Sequence, residues 1–204
     1  MIAQSLTPHE IAAQFPADAR LHPISVPAYL EMVKHGWINA DDRVELIEGW
    51  IVEKMAKHQP HNTTQMRMNR WLNRTVPDSW SIGVEVPIVL DRSVPEPDLC
   101  ILRGAIELYD VDGPVPTQIA LVIEVSDSTV RSDRTKKRAL YAAAGIVQMW
   151  LVDVSARQIE VGTVPNRETS AYDSIVVYGA DDTVTLVPDG VTITSLRVSE
   201  LLPV

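Results

Sequence analysis

Five positions, Ile82, Val84, Val86, Ile88 and Leu90, alternate with other residues over nine places, the two-residue period of a strand with one apolar face. Two further apolar runs, Glu96 to Leu102 and Ile119 to Val125, predict the next strands. From Arg131 the spacing turns helical, the segment is rich in alanine, and it stops at Gly145. Val147 to Val154 returns to strand. A strand reached through a helical crossover pairs in parallel, whereas consecutive strands pair antiparallel, so the pattern predicts an α/β fold with a mixed central sheet flanked by helices.

Upstream, Val26 to His35 predicts a short helix with Tyr29, Met32 and Val33 as its apolar side and Gly36 as its stop. Arg43 to Met55 predicts a hairpin folded about Glu48-Gly49. His61 to Thr75 carries Met68, Trp71 and Leu72 at helical spacing and ends before Pro77. Residues 1–25, punctuated by Pro8, Pro16 and Pro23, form a lead-in, and residues 26–154 form the core. Residues 155–204 hold short β-rich runs at Ile159 to Val164, Ser174 to Tyr178, Thr183 to Val187 and Val191 to Thr194. They are expected to pack on the sheet as an extension of the same domain, being too few and too broken by turns to stand alone.

Composition narrows the class. The chain has 204 residues, 46% of them hydrophobic, and mean hydropathy near zero, which suits a folded unit and argues against disorder. No apolar run approaches a membrane span, and the first residues lack a basic-then-apolar leader, so a cytoplasmic, non-membrane protein is expected. Cys100 is the single cysteine; it excludes a disulfide framework and is expected in the core.

A net charge of -9 argues against coating nucleic acid by charge alone. The cations are uneven, however, with 15 of 18 before Ser155. Arg131, Arg134, Lys136, Lys137 and Arg138 lie within eight residues, and Arg67, Arg70 and Arg74 are spaced to form one helical stripe. Each set also has the plainer reading of a solvated helix face.

Asp98 and Glu124 interrupt apolar strands. A buried carboxylate is costly unless paired or bound to metal, and an antiparallel pairing of their strands would bring the two together. With the backbone carbonyl of Val125 they would make part of an octahedral oxygen site for magnesium or manganese. Deleting either is expected to relieve buried charge and leave the fold largely intact. Asp133, Lys137 and Tyr141 follow at intervals of four, so Lys137 can aim at the same region, although Asp133 and Lys137 also read as an intrahelical ion pair with Tyr141 packed beneath.

These residues resemble the PD-(D/E)XK nuclease superfamily, in a variant whose lysine has moved from the strand, where Ser126 now stands, to the following helix. More closely, the chain is similar to the Uma family, labelled restriction endonucleases. The matching elements are Glu45-Leu46-Ile47-Glu48-Gly49, His61 opening a helix, Pro97-Asp98, Ile123-Glu124-Val125-Ser126 with Ser128-Thr129, the Asp133/Lys137/Tyr141/Gly145 spacing, and Trp150-Leu151-Val152-Asp153. The resemblance implies a restriction-endonuclease-like core and divalent-metal-dependent hydrolysis of DNA. Asp98 and Glu124 would be metal ligands and Lys137 would orient the attacking water or stabilise developing charge. Glu45 would be an auxiliary ligand or water-orienting group, or structural. Asp133 would position Lys137. A homodimer is expected, since cutting two strands calls for two centres.

The arginines would hold flanking phosphates without reading sequence. The rival readings are an inactive nuclease fold that binds DNA or assembles, and a hydrolase of a small phosphodiester. His58 and His61 mark a loop-to-helix boundary rather than a zinc pair, with His61 free to face the site. Ser126 to Thr129 read as caps. The five tryptophans read as core or interface fillers, not a base-stacking platform.

Overall fold

The computed structural model describes residues 19–109, 113–127 and 131–203 with the isolated positions 10, 14 and 16, and for residues 131–134 the backbone only. Most of the lead-in, Ser128 and Thr129 therefore lie outside the described residues.

Helix α1 (Val26–Lys34) is capped by Ser25, whose hydroxyl accepts from Ala28 N–H, and ends before Gly36 at φ +71°, a left-handed stop that glycine adopts cheaply. It leads to the hairpin β1 (Val44–Ile47) and β2 (Trp50–Glu53), paired with Ile47 opposite Trp50. Both turn residues, Glu48 and Gly49, have positive φ, the conformation that matches strand twist in a two-residue hairpin. Val26 and Tyr29 of α1 pack with Leu46 and Val94, and a bridge between Leu46 and Val94 ties the hairpin to the chain ahead of Asp98.

Helix α2 (Gln59–Thr75) begins two residues earlier than the sequence predicts. Pro60 sits in the first turn, where its missing N–H has no helical partner to lose. His61, Thr64, Gln65, Met68 and Leu72 form its buried side, the spacing of one helical stripe.

Six strands make the main sheet in the order β3-β4-β5-β6-β7-β8: β3 (Trp80–Val84), β4 (Leu99–Arg103), β5 (Ile119–Ser126), β6 (Gln148–Asp153), β7 (Gln158–Asn166) and β8 (Ala171–Gly179). Only β5 and β6 are parallel, joined by α3 (Arg131–Ala144). The mixed α/β sheet thus follows the expected pattern.

Three expectations change. The predicted strand over 82–90 stops at Val84, because Glu85 turns to φ +52° and Pro87 has no N–H to donate. Beyond it the chain loops back on itself, with Ile88 N–H donating to Pro95 O and Leu90 N–H to Ser93 O; Ile88 and Leu90 remain buried, so their alternation reports burial and not sheet pairing. The C-terminal runs do not all pack on the sheet: β7 and β8 continue it by hydrogen bonding. The last expected run, 191–194, is displaced to β10 (Thr194–Arg197), which pairs with β9 (Thr183–Leu186) in a separate hairpin. Val184, Leu186, Val198 and Leu201 from this region join the core formed by Leu99, Ile101, Ile123 and Trp150.

Alternation along β4 sorts the core. Leu99 and Ile101 face the α2 side with Met68 and Leu72, whereas Cys100 and Leu102 share the other side with Tyr141 and Ala142 of α3 and with Ile146 just beyond it. By the same period on β5, Val122 and hence Glu124 project toward α3. Among the described residues, no helix is long and apolar enough to cross a membrane.

Candidate active site

The register of β4 and β5 pairs Leu99 with Ile123, so the next step outward sets Asp98 beside Glu124. There the ladder ends, and the Asp98 side chain takes over as acceptor: Val125 N–H donates to its Oδ2 at 2.7 Å. Lys57 Nζ lies 2.7 Å from Oδ1, and His61 Nε2 lies 3.2 Å from both oxygens. Burial alone would raise the Asp98 carboxyl, yet hydrogen bonding and charge from His61 and Lys57 hold it below the ordinary carboxylate value.

Glu124 has the opposite balance. It is buried, and its carboxyl is pushed up to about 7 by that burial and by the charges of Asp98 and Glu45, against the opposing influence of Lys137 and the Tyr141 hydroxyl. Tyr141 O–H donates to Glu124 Oε1 at 2.7 Å. Lys137 Nζ lies 3.3 Å from Glu124 Oε1 and 3.3 Å from Glu45 Oε2; burial would lower its ammonium pKa, but the surrounding carboxylates raise it. Glu45, on β1, also accepts Glu96 N–H at 3.1 Å, which pins the hairpin to the segment before Asp98.

A cavity of about 530 Å³ collects these groups, with Glu45, Lys57, Asp98, Glu124, Val125 and Lys137 on its wall. The four expected catalytic positions, Glu45, Asp98, Glu124 and Lys137, are therefore brought to one place. Among the described residues no group of three or more His, Cys, Asp or Glu side chains is arranged to hold a metal ion. The donor set nevertheless fits a hard cation completed by waters: two carboxylates with no thiolate beside them, one of them, Glu124, poorly compensated in its burial.

The expected arginine stripes are placed differently from one another. Arg67 donates to Leu202 O, tying α2 to the C-terminal segment, while Arg70 and Arg74 are exposed. Arg138 pairs with Glu160 of β7. The side chains of Arg131, Asp133 and Arg134 lie outside the described residues. The cations on the cavity wall are instead Arg43, Lys54, Lys57, Lys136 and Lys137.

Sequence reasoning left out Lys57, Gln65 and Glu85. Glu85 Oε1 accepts from Lys57 at 2.8 Å and from Gln65 Nε2 at 3.0 Å, and Gln65 also donates to Asp98 O at 3.1 Å. Lys57 lies in the irregular segment between β2 and α2, where no period marks it. The one available signal was Gln65, four residues after His61 and so on its side of α2. Tyr141 packs as expected, being fully buried, and in addition serves Glu124. Cys100 is buried, with its thiol pushed up to about 12. Trp150 is fully buried and stacks on Trp71, but Trp37 and Trp50 are exposed and fill no core of this chain.

Comparison with known proteins agrees with this architecture. No curated protein matches the chain. A crystal structure titled as that of a "putative nuclease belonging to DUF820", from Anabaena variabilis ATCC 29413, superimposes with a TM-score of 0.69 at 19% identity, covering 88% of this chain and 97% of the other. That likeness shows the shared fold. Residues 26–198 match the family described as "Putative restriction endonuclease", a span that includes every strand of the main sheet and all the cavity groups named above, and the chain accordingly belongs to the Uma2 family.

Proposed function

We propose that the protein is a divalent-metal-dependent endonuclease that hydrolyses DNA phosphodiester bonds. The observation that carries this reading is the meeting of Asp98 and Glu124 at the end of β4 and β5 with the Lys137 ammonium 3.3 Å from Glu124. Asp98, Glu124 and the Val125 carbonyl would hold magnesium or manganese, which when bound supplies a Lewis acid and a source of nucleophilic water.

The chain's own groups do the positioning. Val125 N–H from the sheet and His61 from α2 fix the Asp98 carboxylate, and Tyr141 fixes Glu124 Oε1. Lys137, held by Glu45 and Glu124, offers N–H groups to the attacking water and to the phosphoryl oxygens on which charge grows as the P–O bond to the leaving group breaks. Water attacks phosphorus as that bond cleaves and releases a proton to solvent, and the leaving oxygen takes one proton back from solvent. The displaced lysine, which left an inactive binding module open as a reading of the sequence, reaches the same carboxylate from α3 that a strand lysine would approach. Among the described residues, the cavity wall carries five lysine or arginine side chains against seven carboxylates, so a bound divalent cation would supply the charge that offsets a phosphate there. Two cleavage centres would come from a homodimer.

The test is cleavage of supercoiled plasmid, short single strands and a simple phosphodiester, with magnesium, manganese or EDTA. Metal-dependent nicking of plasmid, lost in Asp98→Asn and Glu124→Gln, is the expected result. DNA binding without cleavage in any metal would leave a binding module, and equal rates on all three substrates would remove the preference for DNA.

A further inference from the structure

Both oxygens of the Asp98 carboxylate are engaged, but by partners of different kinds. Oδ2 receives the backbone N–H of Val125 at 2.7 Å, a donor fixed in the sheet. Oδ1 receives the Lys57 ammonium at 2.7 Å, from a segment with no regular structure. His61 Nε2 stands 3.2 Å from each. A cation bound through Asp98 needs a lone pair on its cavity-facing oxygen, and an ammonium and a divalent ion crowded onto one oxygen repel strongly in a partly desolvated site.

Lys57 has somewhere to go. Its Nζ is also 2.8 Å from Glu85 Oε1, and Glu85, half exposed at 47% of its side chain, lies on the same cavity wall. An ammonium that gives up Oδ1 therefore keeps one carboxylate partner while its remaining N–H groups turn toward whatever occupies the cavity. In a site that takes a phosphodiester, that occupant is a non-bridging phosphate oxygen, an acceptor well suited to lysine.

We infer that Lys57 and a divalent cation compete for Asp98 Oδ1, and that a substrate phosphate, by drawing the ammonium away, tips the competition toward the cation. This rests on the nuclease reading of the site and deepens it. Metal and polynucleotide then strengthen each other's binding through one side chain, and the coupling is reciprocal by thermodynamic necessity. A lysine whose work is only to hold Asp98 in place would have the opposite sign, because its loss would loosen a metal ligand.

The experiment is calorimetric titration of Mn²⁺ into the full chain without DNA, in wild type, Lys57→Met and Lys57→Gln, with Lys136→Gln as a control for net charge. Lys136 is exposed on the same cavity wall. Circular dichroism checks folding, and Lys57→Gln, which keeps a neutral donor for Asp98, serves if Lys57→Met does not fold. Mn²⁺ is expected to bind about tenfold more tightly to the Lys57 variants and no more than about twofold more tightly to the control. A short phosphorothioate DNA duplex should tighten Mn²⁺ binding in wild type and lose that effect in the Lys57 variants. Weaker or unchanged Mn²⁺ binding on removing Lys57, or a gain no larger than the control's, overturns the inference while leaving the nuclease reading intact. Absence of Mn²⁺ binding in wild type and in both Lys57 variants, with and without the duplex, or binding that survives Asp98→Asn, removes the metal site itself and both readings with it.

Discussion

Asp98 and Glu124 are both buried carboxylates, and from sequence the removal of either should relieve buried charge. Their surroundings predict opposite effects on stability. Asp98 is compensated by Val125 N–H, Lys57 and His61; Asp98→Asn turns an amide N–H₂ toward one of these donors and strips Lys57 of its buried partner. Breaking a buried pair from one side costs about 3–5 kcal/mol, and because the Lys57 side chain is 28% exposed the lower end, about 3 kcal/mol, applies here.

Glu124 is held near 7 against an ordinary value of 4.5, so at pH 8 its ionisation costs the folded chain about 3 kcal/mol more than it costs the unfolded chain. Glu124→Gln removes that charge and keeps an acceptor for Tyr141, while Lys137 keeps Glu45. The change should stabilise by up to about 3 kcal/mol, reduced by whatever attraction Lys137 loses. The pH dependence follows in sign. A carboxyl raised in the folded state contributes stability that is fully present below pH 4.5 and lost as pH rises through about 7, so the advantage of Glu124→Gln should shrink from pH 8 to pH 5. Asp98 is lowered in the folded state, so its contribution is present above its unfolded value and lost only as pH falls through the lower folded one; the Asp98→Asn penalty should persist at both pH values. Urea unfolding in EDTA at pH 5 and pH 8 measures both. Equal destabilisation by the two variants, or stabilisation by Asp98→Asn, would refute this account of the site's electrostatics.

Three other outcomes follow from the geometry. Lys137→Ala should lower DNA cleavage by at least about a hundredfold with little loss of Mn²⁺ affinity; single-turnover cleavage and metal titration separate the two, and a change confined to metal binding would contradict the role given to its ammonium. Tyr141→Phe leaves the buried Glu124 Oε1 without its hydroxyl donor and should cost about 1–2 kcal/mol in unfolding free energy at pH 8, with a cleavage rate that falls less than in Lys137→Ala. Gly49→Ala would place a Cβ 2.5 Å from Pro23 Cβ at φ +85°; a loss of about 1–3 kcal/mol is expected, read as a lower urea midpoint, and an unchanged midpoint would mean that the hairpin base yields freely.

Local chemistry alone was enough for a large part of this chain. Glu48-Gly49 dictates a tight hairpin, Gly36 and Gly145 end helices, and the apolar run Ile119 to Val125, interrupted only by Glu124, has no stable place but the middle of a sheet. Two carboxylates in such runs announce a site, because burial without compensation is too costly to be accidental. Tertiary structure decided what lies beyond the reach of a local period. The alternation through Leu90 could not show that Ile88 N–H would find Pro95 O in place of a neighbouring strand. Nor could the short C-terminal runs reveal that β7 and β8 would extend the sheet while β9 and β10 covered its face. Lys57, His61 and Glu85 converge about Asp98, with Lys57 41 residues away along the chain. Such contacts arise only when the sheet and α2 close together, so the sequence marks the buried charges, whereas the fold selects which of them is neutralised.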